Sequence, residues 1–230
     1  MNLSYSYNTA VDSAYIIRVA GHAVSEELAA RCMESCEKVG QVAQYWDAYN
    51  GISDTLVAPA HHGGVMNLIK LTDHFLTRGE VACALSHISL WAKCVEDDKP
   101  LVVLEHDAVM VRAYPEHAVL NSICYLGSHE QAKQGWGIHP TPPHATEGHN
   151  YHFICRAHAY AIDPLVAKNM LAHVIKMGIC GSLDMMLRAD LFPIHQMGLF
   201  AYDEKQAGET TIAGRARDGR ASKRNDGLLV

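Results

Sequence analysis

Short runs of apolar residues, bounded by polar residues, glycine or proline, recur along this chain and predict buried strands. We expect seven strands, at residues 14–19, 42–46, 101–108, 121–126, 151–155, 158–162 and 199–202. The third reads LVVLEHDA and ends in two carboxylates, Glu105 and Asp107. Ionised groups that leave water need partners or a metal ion, and open α/β sheets bind ligands at the carboxyl ends of their strands. This strand end is therefore a candidate binding site.

Between these runs, apolar residues repeat at helical intervals and helix-capping signals flank them. One predicted helix has Ser25 as its N-cap and runs to a glycine at position 40. The clearest helix follows Thr77 and Glu80, which have capping-box spacing. A third begins at Asp163-Pro164, and a short fourth begins near Ser182 with Asp184 in its first turn. Strands and helices that alternate in this way predict an α/β fold with a mostly parallel central sheet.

The remaining segments contain little apolar periodicity. Residues 52–75 are expected to be a loop, and 127–150 either a mobile loop over the site or a plain surface loop. We expect one globular domain over residues 1–204 and a basic, flexible tail over 205–230. That tail either attracts anionic lipid weakly, giving a peripheral membrane contact, or is simply a solvated chain end.

Composition narrows the class of protein. The chain has 230 residues, of which 49% are hydrophobic and 19% charged, as in an ordinary globular protein. Its net charge of −6 argues against nucleic-acid binding. The odd number of cysteines, seven without CxxC spacing, favours reduced thiols over a disulfide framework or a zinc site. The sequence shows neither a signal peptide nor a membrane-spanning run, so a cytoplasmic location is expected.

The acidic pair at the end of the LVVLEHDA strand suits a hard divalent cation. On an extended backbone, Glu105 and Asp107 would point to the same side and His106 to the other. Carboxylate oxygens are typical ligands of Mg²⁺ or Mn²⁺, which then hold substrate phosphates. The alternative is structural: one carboxylate caps the following turn and the other pairs with a basic side chain.

Residues 76–108, LTRGEVACALSHISLWAKCVEDDKPLVVLEHDA, resemble the signature segment of glycosyltransferase family 25. The family pattern is close to LTxGExGCxxSH, followed by a helix and a strand that ends in LEDDA. The resemblance extends more loosely to WDAYNG at 46–51, to 157–171 and to Leu183-Asp184. Four features depart from the pattern. Ala82 replaces a glycine, His106 the middle acid, and Ser182 a proline, and residues 15–18 do not reproduce the asparagine-leucine pair and nearby arginines of the family's N-terminal strand.

The resemblance implies a GT-A fold, which is Rossmann-like, and transfer of a hexose, galactose or glucose, from a UDP-sugar to a glycan or glycoconjugate hydroxyl, with inversion, in lipopolysaccharide biosynthesis. It implies a Mn²⁺ or Mg²⁺ cofactor on Glu105 and Asp107. It also places Ser86 and His87 near the donor, together with Gly79 and the acidic pair. Asp184 matches the family's late aspartate and is the candidate base that deprotonates the acceptor.

Two other functions remain open from the sequence. His106 in place of an acid is also consistent with a non-catalytic relative that binds a nucleotide-sugar or carbohydrate without turnover. A metal-dependent hydrolase that uses some of the 15 histidines is the weaker alternative, because no HxH or HExxH motif occurs.

Overall fold

A six-stranded sheet forms the centre of the protein, in a computed structural model that describes residues 11, 13–51, 64–72, 76–115, 121–127, 154, 156–196 and 198–203. The strand order is β2-β1-β3-β6-β5-β7, and β4 and β8 form a separate two-stranded sheet. The strands are β1 (Ala14–Arg18), β2 (Ala43–Asp47), β3 (Leu101–Glu105), β4 (Ala108–Met110), β5 (Ile123–Tyr125), β6 (Ala159–Ile162), β7 (Ile194–Gln196) and β8 (Ala201–Asp203).

The central sheet is mostly parallel, as the sequence predicts. Strand β1 pairs in parallel with both β2 and β3, and β5 pairs in parallel with β7. Strand β6 runs antiparallel to β3 and to β5, so it alone is reversed within this sheet. The carboxyl ends of β1, β2 and β3 therefore meet at one edge, where Glu105 lies. A mixed α/β architecture of this kind fits a Rossmann-like fold.

Four helices and a short 3₁₀ turn complete the described structure. They are α1 (Ala23–Val39), α2 (Arg78–Asp97), α3 (Pro164–Met177) and α4 (Leu183–Met186), with the 3₁₀ turn at Gly64–Leu68. Among the helices that the structure describes, none combines the length and apolar character needed to cross a bilayer.

The two faces of the sheet are covered by different helices. Alternate residues of β3 enter different apolar clusters: Leu101 and Val103 pack with α2 and α3, whereas Val102 and Leu104 pack with α1. This alternation follows from the two-residue period of a strand. Glu105 continues the Leu101–Val103 series, so its side chain belongs to the face that α2 covers.

Two caps agree with the sequence analysis, and one does not. Thr77 and Glu80 form the predicted capping box, and Asp163 caps α3 through the amide of Leu165. The predicted cap Ser25 lies inside α1, which begins earlier and is capped by His22. The Ser25 hydroxyl instead accepts the Val19 amide at 2.9 Å. Ser25 was predicted as the cap because serine is a preferred N-cap residue. The structure instead uses the imidazole of His22, which accepts the Ser25 amide at 3.3 Å.

The predicted strand at 101–108 is too long. Strand β3 ends at Glu105, residues 106 and 107 form a turn, and β4 begins at Ala108. The side-chain alternation assumed for Glu105 and Asp107 therefore does not apply across this turn.

Only some of the remaining predicted elements fall on residues that the structure describes. Strand β7 was not predicted, and residues 64–68 of the expected loop form the 3₁₀ turn. Most of the loop at 127–150, most of the strand expected at 151–155 and the tail at 205–230 lie outside the described residues. The division into a domain and a tail therefore stays a prediction.

Replacing Thr77 with alanine should lower the free energy of unfolding by about 0.5–2 kcal/mol, since the cap of α2 is lost. The Thr77 hydroxyl accepts the Glu80 amide at 3.2 Å, and the Glu80 carboxylate accepts the Thr77 amide at 2.8 Å. Urea unfolding with an unchanged m-value would measure the loss. Thr77→Ser keeps the hydroxyl and is the control; equal stability of the alanine variant and the wild type would contradict the prediction.

Candidate functional site

The end of β3 faces two side chains of α2. The Glu105 carboxylate lies 3.3 Å from Nε2 of His87 and accepts the Cys83 thiol at 3.9 Å. Cys83 and His87 are four residues apart, so they share one face of the helix. The sulfur, the ring nitrogen and a Glu105 oxygen all lie within 4.8 Å of one another. Among the described residues, these three side chains form the one group of at least three potential ligands that lie close enough together to hold a metal ion.

A buried hydrogen-bond chain fixes the imidazole of His87. Its Nδ1 is 2.9 Å from the Tyr160 hydroxyl, which also accepts Nε1–H of Trp91 at 2.9 Å. The two rings of His87 and Tyr160 are stacked with centroids 5.7 Å apart. All three side chains are at most 1% exposed. Nε2 of His87 therefore points at Glu105 with little rotational freedom.

Negative charge is concentrated around the Cys83 thiol. Burial raises the pKa of this thiol, and the charges of Glu105, Asp184 and Asp107 raise it further. A nearby anion disfavours formation of a second anion, so negatively charged carboxylates raise the pKa of the thiol. The three acids predicted from the sequence therefore act electrostatically on one point between α2, β3 and α4.

The side chains of His106 and Glu105 contact helices on opposite sides of the sheet. Nδ1 of His106 lies 3.0 Å from the Ser25 hydroxyl on α1, on the other side of the sheet from α2. This agrees with the expectation that His106 points away from the proposed ion. Asp107 is buried, with 5% exposure. Its charge also raises the pKa of Cys32 on α1, so Asp107 lies within electrostatic range of both helices.

Asp184 lies in the first turn of α4, as predicted. Its Oδ2 accepts the amide of Arg156 at 3.1 Å. Arg156 has a φ of 61°, a left-handed conformation that costs energy in a residue with a side chain. Its guanidinium is 3.6 Å from the buried carboxylate of Asp203. The backbone amide of Arg156 thus contacts Asp184 on α4, while its side chain pairs with Asp203 at the end of β8.

His158 connects this arginine to the sheet. Its ring nitrogens lie 3.0 Å from the Arg156 carbonyl and 3.2 Å from the Ala201 carbonyl. Burial lowers the pKa of His158, although the Ala201 carbonyl, Asp203 and Glu105 oppose this shift. Its own carbonyl accepts the amide of Glu105 at 2.8 Å. His158 therefore links the strand end to the Arg156 segment.

The other donor-binding candidates occupy α2. Gly79 is the second residue of the helix. Ser86 is buried; its hydroxyl accepts the Tyr49 amide at 2.9 Å and donates to the Ala82 carbonyl at 2.7 Å. These bonds fix the segment after β2 against α2, so the described contacts of Ser86 are structural.

Sequence reasoning missed several residues of this site. Cys83 was read only as part of a motif, although its spacing from His87 and the acid at the end of β3 could have suggested a shared cluster. Nothing local identified Tyr160, Trp91 or Arg156, because their contacts join segments more than twenty residues apart.

Comparison with known proteins bears on residues 29–134, which contain α2, β3 and the acidic turn. No curated protein matches the chain. The model of one protein family does match, and its description is glycosyltransferase family 25, LPS biosynthesis protein. Such a family implies glycosyltransferase activity in lipopolysaccharide biosynthesis. The resemblance seen in LTRGEVACALSH and LEHDA is therefore confirmed, since residues 29–134 of this chain match the model of glycosyltransferase family 25.

Proposed function

We propose that the protein is a metal-dependent glycosyltransferase that moves a hexose, galactose or glucose, from a UDP-sugar to a hydroxyl of a glycan or glycoconjugate. One observation carries the proposal: β3 ends in Glu105, with Asp107 in the turn that follows, and both acids lie within the residues 29–134 that match a glycosyltransferase family. The GT-A arrangement, inversion at the anomeric carbon and a cytoplasmic location with weak membrane contact through the tail belong to the same proposal.

The two carboxylates proposed as metal ligands suit a hard divalent cation. Glu105 is half-buried at the carboxyl end of β3, and the buried Asp107 follows in the turn. Carboxylates held in a concentrated negative field favour a cation, and Mn²⁺ or Mg²⁺ prefers oxygen ligands. We assign Glu105 and Asp107 as its ligands. When bound, such a cation neutralises charge on the leaving diphosphate.

Asp184 is the proposed base. An inverting displacement needs a group on the acceptor side that takes the proton of the attacking hydroxyl. One oxygen of Asp184 is engaged by the Arg156 amide, which orients the carboxylate. Gly79 and the α2 motif are proposed to border the donor, while the bonds of Ser86 support it indirectly.

Asp107→Ala should abolish sugar transfer, because the proposed cation loses a ligand. A metal ion contributes several kcal/mol to such reactions, which corresponds to roughly 10³-fold or more in rate. UDP release from a panel of UDP-hexoses with Mn²⁺ measures it. Asp107→Asn preserves size if alanine disturbs the turn, and Asp97→Ala, on the distant end of α2, is the matched control. Full activity of either Asp107 variant, or of metal-stripped enzyme, would overturn the metal assignment.

Asp184→Asn should lower kcat by about 10²–10⁴-fold, since asparagine cannot take the proton. The amide oxygen still accepts the Arg156 amide, so the KM for the donor and the melting temperature should stay unchanged. The control is Asp190→Asn, an acid in the segment after α4 that pairs with Arg188. A kcat within about twofold of the wild type would exclude Asp184 as the base.

A thermal-shift screen separates the enzyme from a binding-only relative and narrows the donor. A UDP-hexose together with Mn²⁺ should raise the melting temperature more than either alone, because the ligands stabilise the folded state jointly. Stabilisation without any UDP release across the panel would favour a non-catalytic relative. Stabilisation that is independent of Mn²⁺ would contradict the proposed metal site.

A further inference from the structure

We propose that Cys83, His87 and Glu105 form a binding site for a thiophilic divalent cation of the zinc type. This site differs from the proposed Mn²⁺ site in two of its ligands and shares only Glu105 with it. Binding of this cation can be measured without sugar transfer, so its test is separate from the test of the proposed function.

Two of the three distances between the ligand atoms are close to those of tetrahedral zinc coordination, and all three atoms lie within 4.8 Å of one another. Bonds of about 2.3 Å to sulfur and about 2.0–2.2 Å to nitrogen and oxygen place the ligand atoms roughly 3.4–3.6 Å apart. The observed separations are 3.3 Å from Nε2 of His87 to Glu105 and 3.9 Å from Sγ of Cys83 to Glu105. Small side-chain movements would therefore suffice to close the site around an ion.

The backbone holds these ligands in place before any ion binds. Cys83 and His87 are at i and i+4 on α2, whose start is fixed by the capping box. Glu105 ends β3, and its amide is bonded to the carbonyl of His158. A site carried by a capped helix and a central strand loses little conformational entropy on binding.

His87 supplies the second observation that points to a ligand. It is 1% exposed, and within the described residues its Nε2 makes no aligned hydrogen bond, although it lies near Glu105. Its Nδ1 is held by Tyr160, and metal-bound histidines typically donate their other N–H to such a partner. A hydroxyl oxygen has two lone pairs, so Tyr160 can accept both Trp91 and His87.

The electrostatic surroundings also favour a cation. The Glu105 carboxylate, which lies close to both Nε2 of His87 and Sγ of Cys83, places negative charge where the ion would bind. On coordination the S–H bond breaks, a sulfur–metal bond forms, and the proton passes to buffer. Thiolate and imidazole ligands select zinc-like ions over Mg²⁺ and Mn²⁺. Water is available for the fourth position.

Cobalt titration of the full chain, purified without a histidine tag, tests the site directly. We expect stoichiometric Co²⁺ to produce a near-ultraviolet thiolate-to-cobalt charge-transfer band together with intense tetrahedral visible bands. Cys83→Ser should lose the charge-transfer band. Cys180→Ser, at an exposed thiol, and Cys36→Ser, in the buried Cys32–Cys36 pair on α1, should retain it. A missing band in the wild type, or a band that persists in Cys83→Ser, would overturn the proposal.

One further variant and a second measurement exclude a general effect on folding. Tyr160→Phe removes the partner of His87 and should weaken cobalt affinity by roughly 10- to 100-fold while the thiolate band remains at saturation. Zn²⁺ should raise the melting temperature of the wild type but not of Cys83→Ser, whose metal-free melting temperature should match the wild type. Equal zinc stabilisation of both proteins would place the ion elsewhere. A wild-type His87 whose ¹⁵N spectrum keeps the Nε2–H tautomer with Zn²⁺ present would also overturn the site.

Discussion

The whole site depends on how the protein accommodates one carboxylate at the end of a buried strand. Leu101, Val102, Val103 and Leu104 are almost completely excluded from water, and Glu105 follows them directly. A charge in that position needs compensating partners. The protein provides an imidazole at 3.3 Å and a thiol at 3.9 Å, both from α2. The position of α2 and the orientation of His87 are therefore as important as the acid itself.

The surrounding structure supports that arrangement from three directions. The capping box fixes the start of α2, and the Trp91–Tyr160 contact reaches His87 from the antiparallel strand β6. His158, just before β6, bonds to the Glu105 amide and, through Arg156, is connected to Asp184. The segment just before β6 thus joins the acidic end of β3 to the candidate base, although the two are far apart in sequence.

Local signals in the sequence were sufficient for much of this fold. The capping residues Thr77 and Asp163 are correct because a cap is an interaction between near neighbours. The parallel β1–β2 pair followed from the short connections around α1. The end of β3 was harder to predict, because the apolar run does not show that the backbone turns at His106. Tyr160 and Arg156 act through contacts between distant segments, and no local pattern encodes those.

In the candidate site, too, some features were predictable from the sequence and others depended on contacts between distant segments. Glu105, Asp107 and Asp184 were found from strand position and family resemblance, and all three influence Cys83. The geometry assumed for the acidic pair was wrong, since it required an extended backbone through residue 107. The structure instead places Cys83 and His87 beside Glu105. The two proposed cation sites therefore differ in the ligands that accompany this one carboxylate.

Anomalous diffraction at the manganese edge, from crystals grown with Mn²⁺ and UDP, tests the central claim most directly. We expect a strong peak within coordination distance of Glu105 and Asp107, with the diphosphate oxygens bound to the same ion. An active enzyme whose manganese peak lies away from Glu105, or whose UDP is bound without any ion at the end of β3, would contradict it.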